Sequence, residues 1–407
     1  MFDGGFFATW AEATKTAFGF FWKSGWAFVL GYAVSAMIQA FVPKAKLTRF
    51  MGGADARSVA LATVFGAASS SCSFAALATA RSLVLKGAHF AAAVAFMFAS
   101  TNLVIELGIL ILIFLGWQYL LAEIIGGLIL ILISSVLIRL TYPRNWLESA
   151  REKVEEEGSA EENDFDWRER IASKEGWQMV GMNFVHDWQM VWKEILIGFT
   201  IAGFVAALVP AEWWAAIFLT GYQDELPGWV IALENAMVGP FVAAATFIGS
   251  MGNIPLATVL NANGVLFAGI MGFIYSDLMV PPLVAVNAKY YGLRVALYIA
   301  VVMYVSIVAT ALILTGSFEL LDLVPESGRA VTDVVQFKID YTFWMNLVFL
   351  FVAAVLVWLF RGHIRQHGHM HHDMEGDGPL KRGAALVAMA VLAIGLVALA
   401  LHGWSVS

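Results

Sequence analysis

Long apolar stretches recur along this chain, and eight of them are long enough to cross a lipid bilayer. A transmembrane helix needs about 20 predominantly apolar residues. The predicted spans are 26–42, 90–115, 120–140, 195–209, 265–283, 295–314, 343–360 and 384–401. The pattern predicts an all-α polytopic membrane protein with about eight full transmembrane helices.

Two further apolar stretches are interrupted by polar residues. The stretch 58–85 contains the run Ser69-Ser70-Ser71-Cys72-Ser73, and 229–260 contains a glycine-rich run that begins at Gly249 and ends at Pro255. Non-helical backbone at membrane depth is tolerated only where it is buried in protein or lines a cavity. We predict two re-entrant or broken helical hairpins; the alternative is that each stretch makes two full spans.

The two halves of the chain repeat each other. GYAVSAMIQAFVP at 31–43 resembles GFTIAGFVAALVP at 198–210, and Leu-Ala-Thr follows the polar break in each half, at 77–79 and 256–258. Three spans and one hairpin in each half give an odd number of crossings, which inverts the second half. Such an inverted repeat is typical of transporters that bind their substrate where interrupted helices meet.

The repeat and the charged segments suggest a domain organisation. Residues 1–23 are predicted to be an amphipathic interfacial segment, 24–143 the first transmembrane repeat and 193–316 the second. Between the repeats, 144–192 is a charged cytoplasmic linker, and 317–407 adds two transmembrane helices joined by a His-rich loop at 361–382. We predict a multi-pass protein of the inner (plasma) membrane, since this orientation keeps most Lys and Arg residues cytoplasmic.

Composition excludes several classes of protein. Of the 407 residues, 60% are hydrophobic and 14% charged, whereas a soluble domain carries about 25% charged residues. The net charge of −7 argues against a nucleic-acid partner, and the single cysteine, Cys72, excludes an intrachain disulfide. Nucleotide-binding and hydrolase motifs are absent from the sequence, so we predict no enzyme activity. The expected partners are the lipid bilayer and a small-molecule or ion substrate; homo-oligomerisation stays open.

The first polar break carries a family resemblance. The segment from Ser70 to Leu77 (SSCSFAAL), followed by Phe-Met-Phe-Ala-Ser at 96–100 and Ile-Pro-Leu at 254–256, resembles the ArsP-like predicted permeases, which include organoarsenical efflux permeases. Cys72 matches the second cysteine of the family's Cys-Ser-Cys segment, while Ser70 stands at the first and Ala76 at the usual proline. The resemblance implies a permease and extends over about residues 20–315.

Residues at the two breaks are the candidate substrate-binding residues. They are Ser70, Ser71, Cys72, Ser73, Asn102, Gly249, Ser250 and Asn253. Hydroxyls, a thiol and exposed helix ends can bind a polar solute or an ion. The structural alternatives are that Cys72 is a small packing residue and that the glycines allow a close helix crossing.

Acids within the predicted spans are the candidate ion-coupling residues. Asp277 and Glu106 are the strongest, since a charge in the bilayer is costly and is usually functional. We expect the two to face each other across the repeat axis; the alternative is a hydrogen-bonded structural role. Glu234, Asn235 and Glu123 are weaker candidates, with Glu123 expected near an interface.

The second linker contains a histidine cluster. His363, His367, His369, His371 and His372 suit a transition metal such as zinc, and the alternative is a solvated loop. No other cofactor is expected. We predict a secondary, ion-gradient-coupled efflux transporter of a small solute such as an organoarsenical or another metal or metalloid species. The alternatives are a passive channel with two hairpins and a metal-sensing membrane subunit.

Overall fold

The fold is helical throughout the part of the chain that the computed structural model describes. That part comprises residues 4–41, 55–69, 73–85, 87–141, 167–223, 225–246, 248–325, 330–367 and 379–402, and no strand occurs in it. Eight of its helices are long and apolar enough to cross a membrane. The predicted all-α polytopic class is confirmed.

Six helices occur in the described part of the first half of the chain. They are α1 (Gly4–Phe41), α2 (Ala56–Ser69), α3 (Ser73–Leu85), α4 (Phe90–Asn102), α5 (Ile105–Phe114) and α6 (Trp117–Thr141). The long helices α1 and α6 are separated by two interrupted pairs, α2/α3 and α4/α5. Helix α2 ends at Ser69 and α3 begins at Ser73, and residues 70–72 between them lie outside the described ranges; Leu103 and Val104 separate α4 from α5.

The second half repeats this order after a short leading helix. It contains α7 (Trp167–Ala172), α8 (Lys174–Leu208), α9 (Ala211–Ile217), a 3₁₀ turn (Thr220–Tyr222), α10 (Gly228–Thr246), α11 (Ser250–Ala262), α12 (Phe267–Ile274), a 3₁₀ helix (Tyr275–Met279), α13 (Pro281–Tyr291) and α14 (Leu293–Leu320). In the described residues that follow, the helices are α15 (Val331–Val334), α16 (Tyr341–His367) and α17 (Pro379–His402).

Corresponding helices of the two halves make corresponding contacts. Helix α2 packs on α4 as α10 packs on α12, and α4 packs on α6 as α12 packs on α14. The equivalent helices α1 and α8 also pack against each other, and so do α6 and α14. The sequence repeat is therefore also a repeat of helix order and packing.

Glycine allows close helix approach in both halves. A Cβ atom added to Gly66 of α2 would lie 2.6 Å from the carbonyl oxygen of Phe96 in α4. A Cβ atom on Gly239 of α10 would lie 2.5 Å from the carbonyl oxygen of Gly269 in α12. Small residues let helix backbones pack closely in membranes, so each half brings its broken helices together in the same way.

The predicted span 90–115 is two helices with a 44° bend between them. The break follows polar residues at the end of α4, where Thr101 donates to the carbonyl of Met97 and Asn102 donates to that of Phe98. Side chains that donate to these carbonyls compete with the backbone hydrogen bonds of the helix. The backbone of Val104 is then extended, so α5 starts in a new direction.

Other boundaries also differ from the sequence prediction. Helix α10 is long enough to cross the membrane alone, although we expected it to be one arm of a hairpin. Helix α8 begins at Lys174, inside the predicted linker, because the Ser173 hydroxyl accepts the N–H of Gly176 at 3.0 Å and caps the helix.

From Gly4 to Phe41, the predicted interfacial segment and the span after it form one uninterrupted helix, α1. Its N-terminal part is buried on one side, since a Cβ atom on Gly203 of α8 would lie 2.6 Å from the carbonyl oxygen of Ala13. The indole N–H of Trp10 donates to the carbonyl of Val391 in α17 at 3.1 Å. This packing extends the helix beyond the stretch that hydropathy marks as a span.

Helix α16 binds the middle of α1 through a side-chain amide. Asn346 accepts a hydrogen bond from the backbone N–H of Trp26 at 2.9 Å and donates to the carbonyl of Trp22 at 2.8 Å. In a regular α-helix, the N–H of residue 26 and the carbonyl of residue 22 would be paired in a backbone hydrogen bond. Nearby, the ammonium of Lys23 lies 2.9 Å from the Asp340 carboxylate. The final helices are thus fixed to the first.

Candidate functional site

The polar breaks of the two halves contain most of the candidate residues. Ser70, Ser71 and Cys72 lie outside the described residues. Ser73 is the first residue of α3 and is buried, and Asn102 ends α4 and is also buried. At the second break, Gly249 precedes α11, which begins with Ser250 and contains the fully buried Asn253.

Asp277 joins the first break to the second half of the chain. It lies in the 3₁₀ helix after α12 and is fully buried. The Ser73 hydroxyl donates to its Oδ2 at 3.2 Å, and the Thr101 side chain interacts with the same carboxylate. Among the described residues, Oδ1 of Asp277 has no hydrogen-bond partner. The structure therefore places Asp277 beside the start of α3.

The second break packs against α8. A Cβ atom on Gly249 would lie 2.5 Å from Oε2 of Glu194, and one on Gly198 would lie 2.5 Å from the Cα of Gly252. Gly249 also accepts the N–H groups of Gly252 and Asn253 at 3.1 and 3.2 Å. The absence of side chains lets the start of α11 pass directly over α8, beside the Glu194 carboxylate.

Glu194 connects the surroundings of the two breaks. Its charge interacts with that of Asp277, and its carboxylate lies at Gly249. Asp277 in turn is bonded to Ser73. A hydrogen bond from Ser73 to Asp277, a charge interaction between Asp277 and Glu194, and the contact of Glu194 with Gly249 together link the start of α3 to the start of α11. Sequence reasoning missed Glu194, because it falls between the charged linker and the predicted span.

Glu106 and Asp277 have different surroundings. Glu106 opens α5 and is buried against α1, where a Cβ atom on Gly31 would lie 3.1 Å from its Oε2. Glu123 of α6, an acid of the first half, interacts electrostatically with Asp277. That Glu106 faces Asp277 stays a prediction.

Glu123 is far more buried than its expected interfacial position implied. It is 1% exposed, and neither carboxylate oxygen has a hydrogen-bond partner among the residues that the structure describes. The hydroxyl of Tyr275 interacts with this carboxyl and lies within hydrogen-bond distance of the backbone carbonyls of Ala122 and Glu123, at 2.9 and 3.3 Å. The available signal was that Glu123 is the single acid in the 25 residues of α6.

Asn235 has a structural role in the connection before α12. Its amide donates to the carbonyl of Phe218 at 2.6 Å and accepts the N–H of Leu266 at 3.1 Å. The neighbouring Glu234 carboxylate accepts a further bond from the same amide at 3.0 Å. These bonds satisfy Asn235 locally and hold a loop, so we do not place it in the site.

The histidine cluster falls largely outside the described residues. His369, His371 and His372 lie beyond them, and His363 and His367 are described only as backbone at the end of α16. Within the described ranges, no group of three or more His, Cys, Asp or Glu residues is arranged to hold a metal ion. Metal binding by the loop remains a prediction.

Two cavities differ in their relation to these acids. One of about 520 Å³ lies between α1, α16 and α17, and its lining includes Lys15, Trp22, Trp26 and Asn346 but no acid. The other, of about 390 Å³, lies at the bend between α4 and α5 and is lined by Asn102 and Glu123 among apolar residues. The smaller cavity is the one beside the buried acids.

Known proteins resemble this chain over most of its length. Residues 9–316 match the family ArsP_1, described as a predicted permease. The chain is 38% identical over 329 residues to a Mycobacterium tuberculosis (strain H37Rv) protein named "Putative permease Rv2963"; the alignment covers 78% of this chain and 79% of that protein. No solved structure matches. The family match spans both halves of the repeat and ends before α16.

Proposed function

We propose that this chain, which belongs to the ArsP_1 family of predicted permeases, is a secondary transporter that exports a small solute across the plasma membrane. Membership of the family and the eight apolar helices make it a multi-pass membrane permease. Efflux, coupling to an ion gradient and the identity of the solute are our proposals.

The observation that carries the proposal is the Ser73–Asp277 hydrogen bond. It ties the start of α3, which follows the first break, to a fully buried acid in the second half. Glu194 extends the connection to Gly249 at the second break. Interrupted helices that converge on buried acids are the usual setting of a transport site, which supports a solute site between the two breaks.

The helix ends at the breaks suit a polar solute. Helices α3 and α11 both begin there, with Ser73 and Ser250. A helix N-terminus presents unpaired N–H groups and a partial positive charge. Together with Cys72, whose thiol suits soft elements, these groups support an organoarsenical or related metalloid species as the solute. The family resemblance points to the same class.

Asp277 is the proposed ion-coupling residue. A charge buried at membrane depth costs several kcal/mol, so such acids pair or exchange protons during transport. A proton on Asp277 removes the charge to which Ser73 donates and weakens the bond to α3. The solute-bound and the protonated protein would then favour different positions of the two breaks. Proton–solute exchange by alternating access requires such a difference.

Reconstitution of the purified protein into proteoliposomes tests this function. We expect an imposed pH gradient to drive uphill movement of a trivalent organoarsenical, and Asp277→Asn to abolish it. The matched control Asp333→Asn changes an exposed acid of α15 and should leave transport intact. Downhill flux that is indifferent to pH would instead identify a passive channel and refute coupling.

A growth assay tests the solute class separately. A sensitive bacterium that expresses the chain should gain resistance to the organoarsenical and lose it with Asp277→Asn. Cys72→Ser tests whether the thiol binds arsenic: retained resistance would exclude an essential thiolate. Absence of resistance to arsenicals, together with active transport of another solute, would refute the organoarsenical class and leave coupling in place.

A further inference from the structure

The bend between α4 and α5 opens a groove on the outer face of the first repeat. The groove has a volume of about 390 Å³ and runs between α5 and α6. This lies within the usual size range of small-molecule sites. Its lining residues are Asn102, Leu103, Val104, Ile105, Gly108, Ile109, Leu112, Leu120, Glu123, Ile124 and Leu128.

The walls of the groove face the lipid. Ile105 and Leu112 of α5 are 49% and 46% exposed, and Ile124 and Leu128 of α6 are 49% and 52% exposed. Large apolar side chains on the outer surface of a transmembrane bundle contact acyl chains. A molecule that enters between these two helices therefore comes from the bilayer and carries an apolar body.

The closed end of the groove is polar and offers hydrogen-bond acceptors. Asn102 and Glu123 are each 1% exposed. The amide nitrogen of Asn102 is already used, since it donates to the Phe98 carbonyl at 3.3 Å and to the Thr101 hydroxyl at 3.1 Å. The amide oxygen of Asn102 and both carboxylate oxygens of Glu123 have no partner within the described ranges.

These acceptors require donors or a cation. Buried polar groups in proteins are almost always hydrogen-bonded, and an unpaired carboxylate in hydrocarbon is costly. Asp277 interacts electrostatically with Glu123 from the 3₁₀ helix and adds negative potential. The described lining residues include no basic side chain. The Tyr275 hydroxyl, which donates to the backbone carbonyls of Ala122 at 2.9 Å and Glu123 at 3.3 Å, is the neighbouring donor that also interacts with the Glu123 carboxyl.

We propose that the groove between α5 and α6 is a lateral binding site for an amphipathic primary amine taken from the bilayer. The ammonium group would donate to Glu123 and Asn102, and the apolar body would lie between Leu112 and Ile124. Several acceptors at the closed end favour a head group with several N–H donors over a quaternary ammonium, which has none. Binding at this site does not depend on the proposed export function.

Ligand binding to the purified full-length protein in nanodiscs tests the site. The probes are radiolabelled 4-phenylbutylamine and its N,N,N-trimethyl analogue, which has the same apolar body and charge without N–H donors. We expect the primary amine to bind at least about tenfold more tightly, as expected for hydrogen bonds to a charged group. Equal affinity for the two probes would overturn the proposal.

Substitutions in the groove test which residues contribute to amine binding. Glu123→Gln should weaken amine binding about tenfold or more, whereas Glu319→Gln, at an exposed acid of α14, should leave it unchanged. Leu112→Trp fills the groove from its exposed wall without touching the carboxylate and should abolish binding. Because Leu112 faces lipid, this variant keeps the test valid even if Glu123→Gln does not fold. Wild-type affinity in Leu112→Trp would refute the site.

Discussion

The Ser73 hydroxyl lies 3.2 Å from Oδ2 of Asp277, although 204 residues separate the two in sequence. Both side chains are buried. One belongs to the helix that starts at the first break, and the other to the 3₁₀ helix of the second half. The position of α3 is therefore linked directly to the state of a buried acid in the other half.

Removal of the Ser73 hydroxyl is expected to slow pH-driven transport. Ser73→Ala should lower the initial rate about tenfold, because a hydrogen bond to a charged group contributes about 1.5–3 kcal/mol, while Ser73→Thr keeps the hydroxyl and should retain most of the rate. Proteoliposome flux measures both. Ser317→Ala, at an exposed hydroxyl that bonds only within α14, is the control; an equal loss there would contradict a specific role for Ser73.

Gly198 is expected to tolerate no side chain. In Gly198→Ala the new Cβ would lie 2.5 Å from the Cα and 2.9 Å from the carbonyl oxygen of Gly252. Both are backbone atoms, so α8 and α11 must separate, at a cost of about 1–3 kcal/mol. Thermal unfolding in detergent measures the loss.

Gly316→Ala is the matched control for that experiment. Nothing lies within 4 Å of a Cβ atom at this glycine of α14. Alanine is the better helix former by about 1 kcal/mol, so the unfolding temperature should stay the same or rise. A normal unfolding temperature for Gly198→Ala would show that the crossing is looser than described.

His89 is expected to make stability pH-dependent at the start of α4. Its Nδ1 accepts the N–H of Ala91 at 3.1 Å, which only the neutral imidazole can do. Burial, followed by the charge of Arg139, lowers the pKa of His89 below its usual 6.5. The cap therefore contributes fully above pH 6.5 and is lost as the pH falls through the lower folded-state pKa.

The measurement is thermal unfolding at pH 8 and pH 5. His89→Asn keeps a capping side chain that does not titrate, whereas His89→Ala loses the cap and about 1 kcal/mol at pH 8. Acidification should destabilise the wild-type protein more than His89→Asn. Parallel losses in these two proteins would show that His89 is not the titrating cap.

Asn346 is expected to hold α16 against α1. Asn346→Ala removes the bonds to Trp26 and Trp22 and should lower the free energy of unfolding by about 1–3 kcal/mol. Leu347→Ala changes the neighbouring lipid-facing residue and should have a smaller effect. Thermal unfolding in the same detergent compares the two variants. Similar decreases in unfolding temperature would argue against a specific role of the Asn346 hydrogen bonds in holding α16 against α1.

Hydropathy predicted the class of the fold because the bilayer sets the length of its helices. It did not reveal the 44° bend at Leu103 and Val104, since that break depends on side chains at the end of α4 that bond to their own helix. It also divided α1 near residue 23, where the helix continues because its N-terminal part packs on α8. Both differences arise from hydrogen bonds and packing contacts, which the hydropathy of the sequence does not report.

The site could be predicted in part. Ser73 and Asp277 are polar residues in apolar surroundings, so each stood out as a candidate. Their pairing, and the interaction of Asp277 with Glu123 and Glu194, depend on how whole helices are rotated and packed. Glu194 was missed because it adjoins the charged linker, and Glu123 was ranked as a weaker candidate because it lies close to the start of its helix.

The bonds between Asn346 and the first helix also constrain biogenesis. The two partners of the Trp26–Asn346 bond are 320 residues apart. At translation rates of about 5–20 residues per second, the first helix waits roughly 16–64 seconds for this partner to leave the ribosome. During that interval the surface of α1 that α16 later covers faces lipid, the insertion machinery or a chaperone, so assembly of the bundle is completed only after synthesis of its penultimate helix.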